Sequence, residues 1–376
     1  MRYFIDASNL TGTGGKIVGL NLLKFLSSTS PEDTFLYYLP DTYEFRELRP
    51  TPNTTFIFRK WPTGIKNNFS RLFDLHIRLP SMIKSFKADA CLTLGDIGPI
   101  KPSCKHIIFV HQPMLINSNS QLSGRGSWSF IKRNYLFKHF SASLNNVSKI
   151  IVQTPIMARH IAEQYQFDMS KILVMPQPVP DHVKKNTPTK LHPVISSCSK
   201  PIKLLFLSQY YPHKNHAILP LLLRELKQRG MQNMVQIFTT LDEKCVNSVP
   251  YLKKLFLQTE LITNLGIVPM HDVSSVLCAS SALFLPTLAE SYGLIYVEAL
   301  TCSIPILTSD RDFARWMCKD LAIYFDPLEP TSIVDSITQL ISAPIPDYAS
   351  RAKERLLEFP RDWQELAGAF YKTLSE

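Results

Sequence analysis

The 376-residue chain contains no apolar run of the roughly eighteen residues that a membrane-spanning helix requires, so no such helix is expected. Its first residues, Met1-Arg2-Tyr3-Phe4-Ile5-Asp6, lack the apolar core of a secretory leader and read as a strand. Cysteine pairing is also missing. The seven cysteines (91, 104, 198, 245, 278, 302 and 318) are odd in number, scattered, and without a Cys-x-x-Cys pair. That argues against a disulfide framework or a structural metal, and for a reducing compartment, the cytoplasm. No internal repeat or low-complexity tract is found. What is present is length for two ordinary domains and 45% hydrophobic residues, enough for two cores.

Acidic residues are scarce in the first half. Residues 1–185 hold 23 Lys and Arg against 12 Asp and Glu, whereas the remainder holds 18 and 19, so the net charge of +10 is one-sided. A basic half suits nucleic acid, an anionic membrane or an acidic ligand. The excess is dense over residues 59–87. There Arg59, Lys60, Lys66, Arg71, Arg78, Lys84 and Lys87 accompany one acid, Asp74, with Trp61, Phe69, Phe73 and Phe86 interleaved. An ordinary charged surface over core aromatics explains this, and so does a face that lies on anionic lipid.

Short apolar runs alternate with segments at helical spacing, which predicts βα units and parallel sheets. Strands are expected at residues 3–6, 35–39, 55–59, 90–94, 106–110, 149–153 and 171–175, then at 203–207, 234–239, 282–285, 305–307 and 323–325. Helices are expected over 17–26 and over 215–229, the second closed by Gly230. Gln177-Pro178-Val179-Pro180 and the Lys, Pro, Ser and Thr that follow mark a linker. The expected organisation is a first domain over 1–185, a linker over 186–200, a second domain over 201–358, and a closing helix over 359–376.

The most informative stretch is Leu283-Phe284-Leu285-Pro286-Thr287-Leu288-Ala289-Glu290-Ser291-Tyr292-Gly293-Leu294-Ile295-Tyr296-Val297-Glu298-Ala299-Leu300. It reads as a buried strand, a polar turn and an apolar helix. Backbone N–H groups at Ser291, Tyr292 and Gly293 are expected to open the helix as an anion site, with Gly293 allowing close approach. Glu290 in the turn and Glu298 in the helix flank that site and suit the hydroxyls of a nucleotide sugar. Two solvated glutamates would be the plain alternative, but the flanking apolar residues argue for burial, and buried carboxylates need partners.

This segment resembles the Glu-x7-Glu signature of retaining glycosyltransferases of the GT-B fold, family 4. Asn264-Leu265-Gly266-Ile267-Val268-Pro269 before it, and Cys302–Leu307 and Ala322–Pro327 after it, extend the likeness. The resemblance implies two Rossmann-like α/β domains facing across a cleft, with a C-terminal helix crossing back to the first. It implies Glu290, His111 and Lys214 as catalytic residues. Gly14, Gly15, Gln209, Lys214, Val268, Ser291, Tyr292, Gly293, Leu294 and Glu298 would bind a UDP- or GDP-linked sugar, with no metal and no further cofactor.

The individual motifs depart from the pattern in places. Thr11-Gly12-Thr13-Gly14-Gly15-Lys16 fits neither a Walker A loop nor the dinucleotide fingerprint, and a turn without a ligand is its simpler reading. Only the resemblance assigns Gly14 and Gly15 to the donor. Val110-His111-Gln112-Pro113 has Gln112 where the family writes Asp, and in Leu207–Asn215 Gln209 replaces the arginine that usually joins the lysine, here Lys214. Asp310-Arg311-Asp312 matches a metal motif of the other glycosyltransferase fold, but falls after the signature helix and is discounted. The implied function is transfer of a hexose or N-acetylhexosamine to a saccharide acceptor, lipid-linked, in O-antigen-like polysaccharide assembly. The enzyme would be cytoplasmic with a peripheral place on the inner face of the plasma membrane, and nucleic acid is not an expected partner. A GT-B nucleotide-sugar epimerase and a silent nucleotide-binding module are the alternatives.

Overall fold

In the computed structural model the described residues are 1–10, 12–62, 65–116, 127–184, 188 and 190–376. Thr11 of the glycine turn, the Lys66 side chain, residue 185, and residues 186, 187 and 189 of the expected linker lie outside them. The described residues of 1–118, 125–178 and 360–376 form one compact unit, and those of 179–359 form the other.

The first unit is built on seven strands: β1 Arg2–Asp6, β2 Thr34–Pro40, β3 Thr54–Arg59, β4 Ala90–Thr93, β5 Lys105–Phe109, β6 Lys149–Val152 and β7 Ile172–Val174. They run parallel in the order β3-β2-β1-β4-β5-β6-β7, with Phe4 paired to Leu36 on one side and Cys91 on the other. The second holds β8 Ile202–Phe206, β9 Val235–Thr239, β10 Ile262–Asn264, β11 Ala282–Leu285, β12 Ile306–Ser309 and β13 Ala322–Phe325, parallel in the order β10-β9-β8-β11-β12-β13. Strands covered by helices on both faces are apolar along their length, which is why unbroken runs such as Ile107-Ile108-Phe109 and Leu283-Phe284-Leu285 become strands. Both sheets are α/β and doubly wound. In such sheets ligands bind beyond the carboxyl ends of the strands where the order reverses. That point lies between β1 and β4 in the first unit and between β8 and β11 in the second.

The C-terminal helix Trp363–Ser375 belongs to the first unit. Asp362 caps it by accepting from Glu365 N at 2.9 Å, while the Glu365 carboxylate accepts from Arg361 N at 2.9 Å. It is fastened by Lys105 Nζ donating to Thr373 O at 2.7 Å and Tyr371 Oη donating to Asp33 at 2.7 Å. The Phe370 ring meets Phe109 edge-on at 5.0 Å.

Several expected boundaries shift. The glycine turn is helical, since the first long helix runs Thr13–Leu26 with Gly12 at its N-cap. Gly14 and Gly15 therefore sit in its first turn and form no loop. Asn215 adopts φ +62° and stays outside the next helix, Leu219–Gln228, which Gly230 follows at φ +69°. Strand β10 escaped the apolar pattern because two of its three residues, Thr263 and Asn264, are polar. The expected linker contributes a short helix, Pro193–Ser196, because Ile195 is apolar enough to bury fully in the second core.

Candidate functional site

At the reversal point of the second sheet, the loop after β8 and the turn after β11 are stitched together through one carbonyl. Leu288 N donates to His213 O at 2.7 Å and the Thr287 hydroxyl donates to the same oxygen at 3.1 Å. This brings together residues 76 apart in the chain: Lys214 Nζ donates to Glu290 Oε1 at 2.6 Å, with both side chains mostly buried. Glu290 is thus paired, as a buried carboxylate must be. His213 and His216 flank the lysine. Burial depresses both imidazoles, His213 to about 4 and His216 to about 3, so they remain neutral beside the cation. His216 lies flat on Phe206 at 4.3 Å, and its Nε2 is 3.3 Å from the Ser208 hydroxyl. Gln209 is exposed, and its Oε1 accepts from the Tyr211 hydroxyl at 3.2 Å. It places a neutral amide where a second cation was sought.

The turn ends at Gly293, the N-cap of the helix Leu294–Thr301, with φ +76°. A Cβ there would lie 2.6 Å from the Tyr296 ring, so both backbone and space demand glycine. Tyr296 N donates to Gly293 O at 2.9 Å, which spends one of the early N–H groups. The N–H groups that open the helix therefore belong to Gly293, Leu294 and Ile295, two residues later than the sequence suggested. Ser291 is half-buried. Tyr292 is buried with its ring against Trp316 at 6.4 Å and Phe359 at 6.2 Å, and so holds the turn from behind. Glu298 is the only charged side chain of the helix and is buried. Its Oε1 lies 3.1 Å from Nε2 of His182, on the short helix Asp181–Lys184. Val268 is half-buried in the loop beyond β10, past Gly266 at φ +75°. Asn264 braces that loop by accepting from Leu241 N and donating to Leu241 O, both at 2.8 Å.

In the first unit His111 follows β5. Its Nε2 is 2.8 Å from Leu94 O and its Nδ1 is 3.4 Å from Gln153 Nε2. These partners assign the ring proton to Nε2, which donates to the carbonyl, and leave Nδ1 to accept from the amide. Burial lowers the His111 pKa against the opposing pull of Asp96 and the Leu94 carbonyl. Asp96, at φ +68°, receives the backbone N–H of His111 at 2.6 Å and that of Gln112 at 2.9 Å. Asp96 thus fixes the backbone at His111 and Gln112, while Leu94 O and Gln153 hold the imidazole.

Part of the basic segment is turned inward. Arg59 grips Asp74 through two hydrogen bonds, at 2.9 and 3.2 Å, and lies over the Trp61 ring, while Arg78 is 3.4 Å from the same carboxylate. Phe69, Phe73 and Ile77 remain exposed, with Lys84 and Lys87 beyond them. Asp310 is bound by Arg315 at 2.7 and 2.8 Å, which commits it to an ion pair. Residues the sequence did not single out are His182, Asp96 and Thr287. None belongs to a recognisable spacing; each acts through a fold contact.

Residues 189–369 match the model of the family described as glycosyl transferases group 1. No curated protein matches the chain. Solved structures do. Sucrose-phosphate synthase from Thermosynechococcus elongatus aligns at TM-score 0.68 and 14% identity, over 100% of this chain and 99% of the other. HepE from Anabaena, solved with UDP and glucose, aligns at 0.69 and 14%, over 100% and 99%. WaaG, a glycosyltransferase involved in lipopolysaccharide biosynthesis, aligns at 0.70 and 12%, over 99% of each chain. These likenesses establish the GT-B fold along the whole chain. The family match, over residues 189–369, lies almost wholly in the second unit.

Proposed function

We propose that the protein transfers a hexose or N-acetylhexosamine from a UDP- or GDP-linked sugar to a saccharide acceptor, with retention at the anomeric carbon and without a metal. The carrying observation is the convergence of Lys214, Glu290, the Gly293–Ile295 N–H groups and Glu298 at one sheet reversal. The bond that breaks joins the sugar C1 to the terminal phosphate oxygen, and negative charge grows on the departing diphosphate. Lys214 and the helix N-terminus would meet that charge, an interaction that counts most in the transition state. Glu290, now paired with Lys214, would turn an oxygen to sugar hydroxyls, and Glu298 would accept from the ribose. His111 enters the proposal as a neutral group toward the sugar.

A lipid-linked acceptor in bacterial surface polysaccharide assembly is the acceptor we propose, with the enzyme cytoplasmic and peripheral on the plasma membrane. The basic first half and the exposure of Phe69, Phe73, Ile77, Lys84 and Lys87 support it. Thermal shift against UDP-, GDP- and ADP-sugars, then transfer to a lipid-linked saccharide with NMR of the product linkage, tests the reading. One donor should stabilise the protein, and the product should keep the donor's anomeric configuration. An inverted product would overturn retention; no stabilisation by any donor would overturn the reading. Sedimentation with anionic vesicles, weakened by salt, is the expected sign of membrane contact, and equal binding to neutral vesicles would refute it.

A further inference from the structure

Glu298 has a neighbour whose role the proposed reaction does not use. His182 sits in a helix of one turn, Asp181–Lys184, flanked by Val179 and Val183, both buried in the core of the second unit. Val183 N donates to Pro180 O at 3.1 Å and closes the turn. Between the two anchoring valines, the imidazole reaches the signature helix and brings Nε2 to 3.1 Å from Oε1 of Glu298. Both side chains are mostly buried, and Nε2 makes no hydrogen bond to any other described group. The ring is within ion-pair distance of the carboxylate, and its Nε2 is buried with no hydrogen-bond partner.

We propose that His182 is a positioning residue that orients the Glu298 carboxylate toward the ribose hydroxyls of the nucleotide. The inference rests on the proposed assignment of Glu298 to the ribose. A glutamate has three side-chain torsions, and one oxygen held by an imidazole leaves the other aimed and free to accept. A group that must receive hydroxyl protons gains most from being held before the ligand arrives. The segment that opens the second unit thereby becomes part of the nucleotide site.

The test compares UDP and GDP with their 2′,3′-dideoxy forms by calorimetry on the full chain. Wild type should prefer the ribose form, and Glu298→Ala should abolish the preference. His182→Ala should cut the preference by about tenfold, the worth of a charge-assisted hydrogen bond, while affinity for the dideoxy form stays unchanged. His182→Gln, whose amide can donate to the same oxygen, should restore part of it, and His182→Ala should add nothing in the Glu298→Ala background. A merely structural histidine would lower both affinities together. Where His182→Ala does not fold, His182→Leu carries the same comparison. If Glu298→Ala loses the preference and His182→Ala keeps or strengthens it, the orienting role is wrong and the ribose assignment stands. If Glu298→Ala keeps the preference, or neither nucleotide binds, the ribose assignment itself has failed.

Discussion

The two units share a plan, a parallel sheet covered by helices, yet they use buried charge differently. In the first, buried polar groups are spent on the unit's own architecture. Asp74 gathers Arg59, Arg78 and the Tyr38 hydroxyl. Asp6 holds the Ser8 N–H and hydroxyl, and Asp96 with the Leu94 carbonyl fixes His111. In the second, the buried Glu290 and Glu298 stand on either side of one helix N-terminus, each against a single basic partner. A carboxylate gripped by three donors is scaffolding. One with a single basic partner keeps lone pairs open to a ligand, and a sugar or ribose hydroxyl can donate to them while that partner stays in place.

The largest expected effect breaks the second arrangement. Lys214→Ala should lower turnover by about two or more powers of ten, and lower it more than donor binding. Only Gln209's neutral donors and the helix N-terminus would face the leaving diphosphate, and a charge-assisted bond is roughly twice as strong as a neutral one. Gln209→Arg in that background should recover part of the loss. Near-normal turnover would show that the diphosphate is held elsewhere. Because the change also strands Glu290, thermal unfolding should accompany the kinetics.

Acid should separate the units next. His213 and His216, depressed to about 4 and about 3, are neutral in the folded second unit. In the unfolded chain they protonate near the ordinary value of about 6.5. Their stabilising effect is therefore complete above that pH and falls as pH drops from about 6.5 toward 4, by about 2 kcal/mol per histidine at pH 5. The first unit has depressed histidines too, His106 at about 3 with His111 and His139 lowered, but burial raises its Asp6 to about 6 and raises Asp96 as well. Those carboxyls take up protons in the folded state first, which offsets part of the loss as pH falls below about 6. Hydrogen exchange on the full chain at pH 7 and pH 5 should show the larger loss of protection in the second unit. Equal losses would contradict the distinction.

Glu298→Ala should weaken nucleoside diphosphate binding by about tenfold, since a hydrogen bond to a charged group contributes roughly 1.5–3 kcal/mol. Unchanged affinity in a titration would remove Glu298 from the ribose. The two glycines come last and are read in stability alone. Gly293→Ala, at φ +76° against the Tyr296 ring, should cost on the order of 1–3 kcal/mol in denaturant unfolding, whereas Gly14→Ala, where a Cβ meets nothing, should be neutral or stabilising.

Much of the fold was legible, for a physical reason. Strands buried on both faces must be apolar throughout and announce themselves as runs, whereas β3 lies half exposed at a sheet edge and β10 hid because Thr263 and Asn264 interrupt it. Helix limits were less legible. Gly12, Gly14 and Gly15 read as a turn, yet the chain enters the helix at Thr13, where tertiary packing of Val18, Leu22 and Leu26 outweighs glycine's poor propensity. Within the site, the spacing of Glu290 and Glu298 and the singular Lys214 could be read because they lie in local patterns. Their partners could not be.

The amino-acid order alone therefore determined two parallel α/β sheets, the glycine that opens the signature helix, and the carboxylates on either side of it. Hydrophobic periodicity and local backbone conformation are properties of neighbouring residues, and a sequence displays them directly. Only the tertiary structure decided that Lys214 answers Glu290, that Asp96 holds the backbone at His111, and that His182, placed by its number beside the linker, lies against Glu298. Those are distances between chain segments brought together by strand order and loop stitching. Nothing local encodes them; they come into being when the sheet closes its reversal point around a carbonyl such as that of His213.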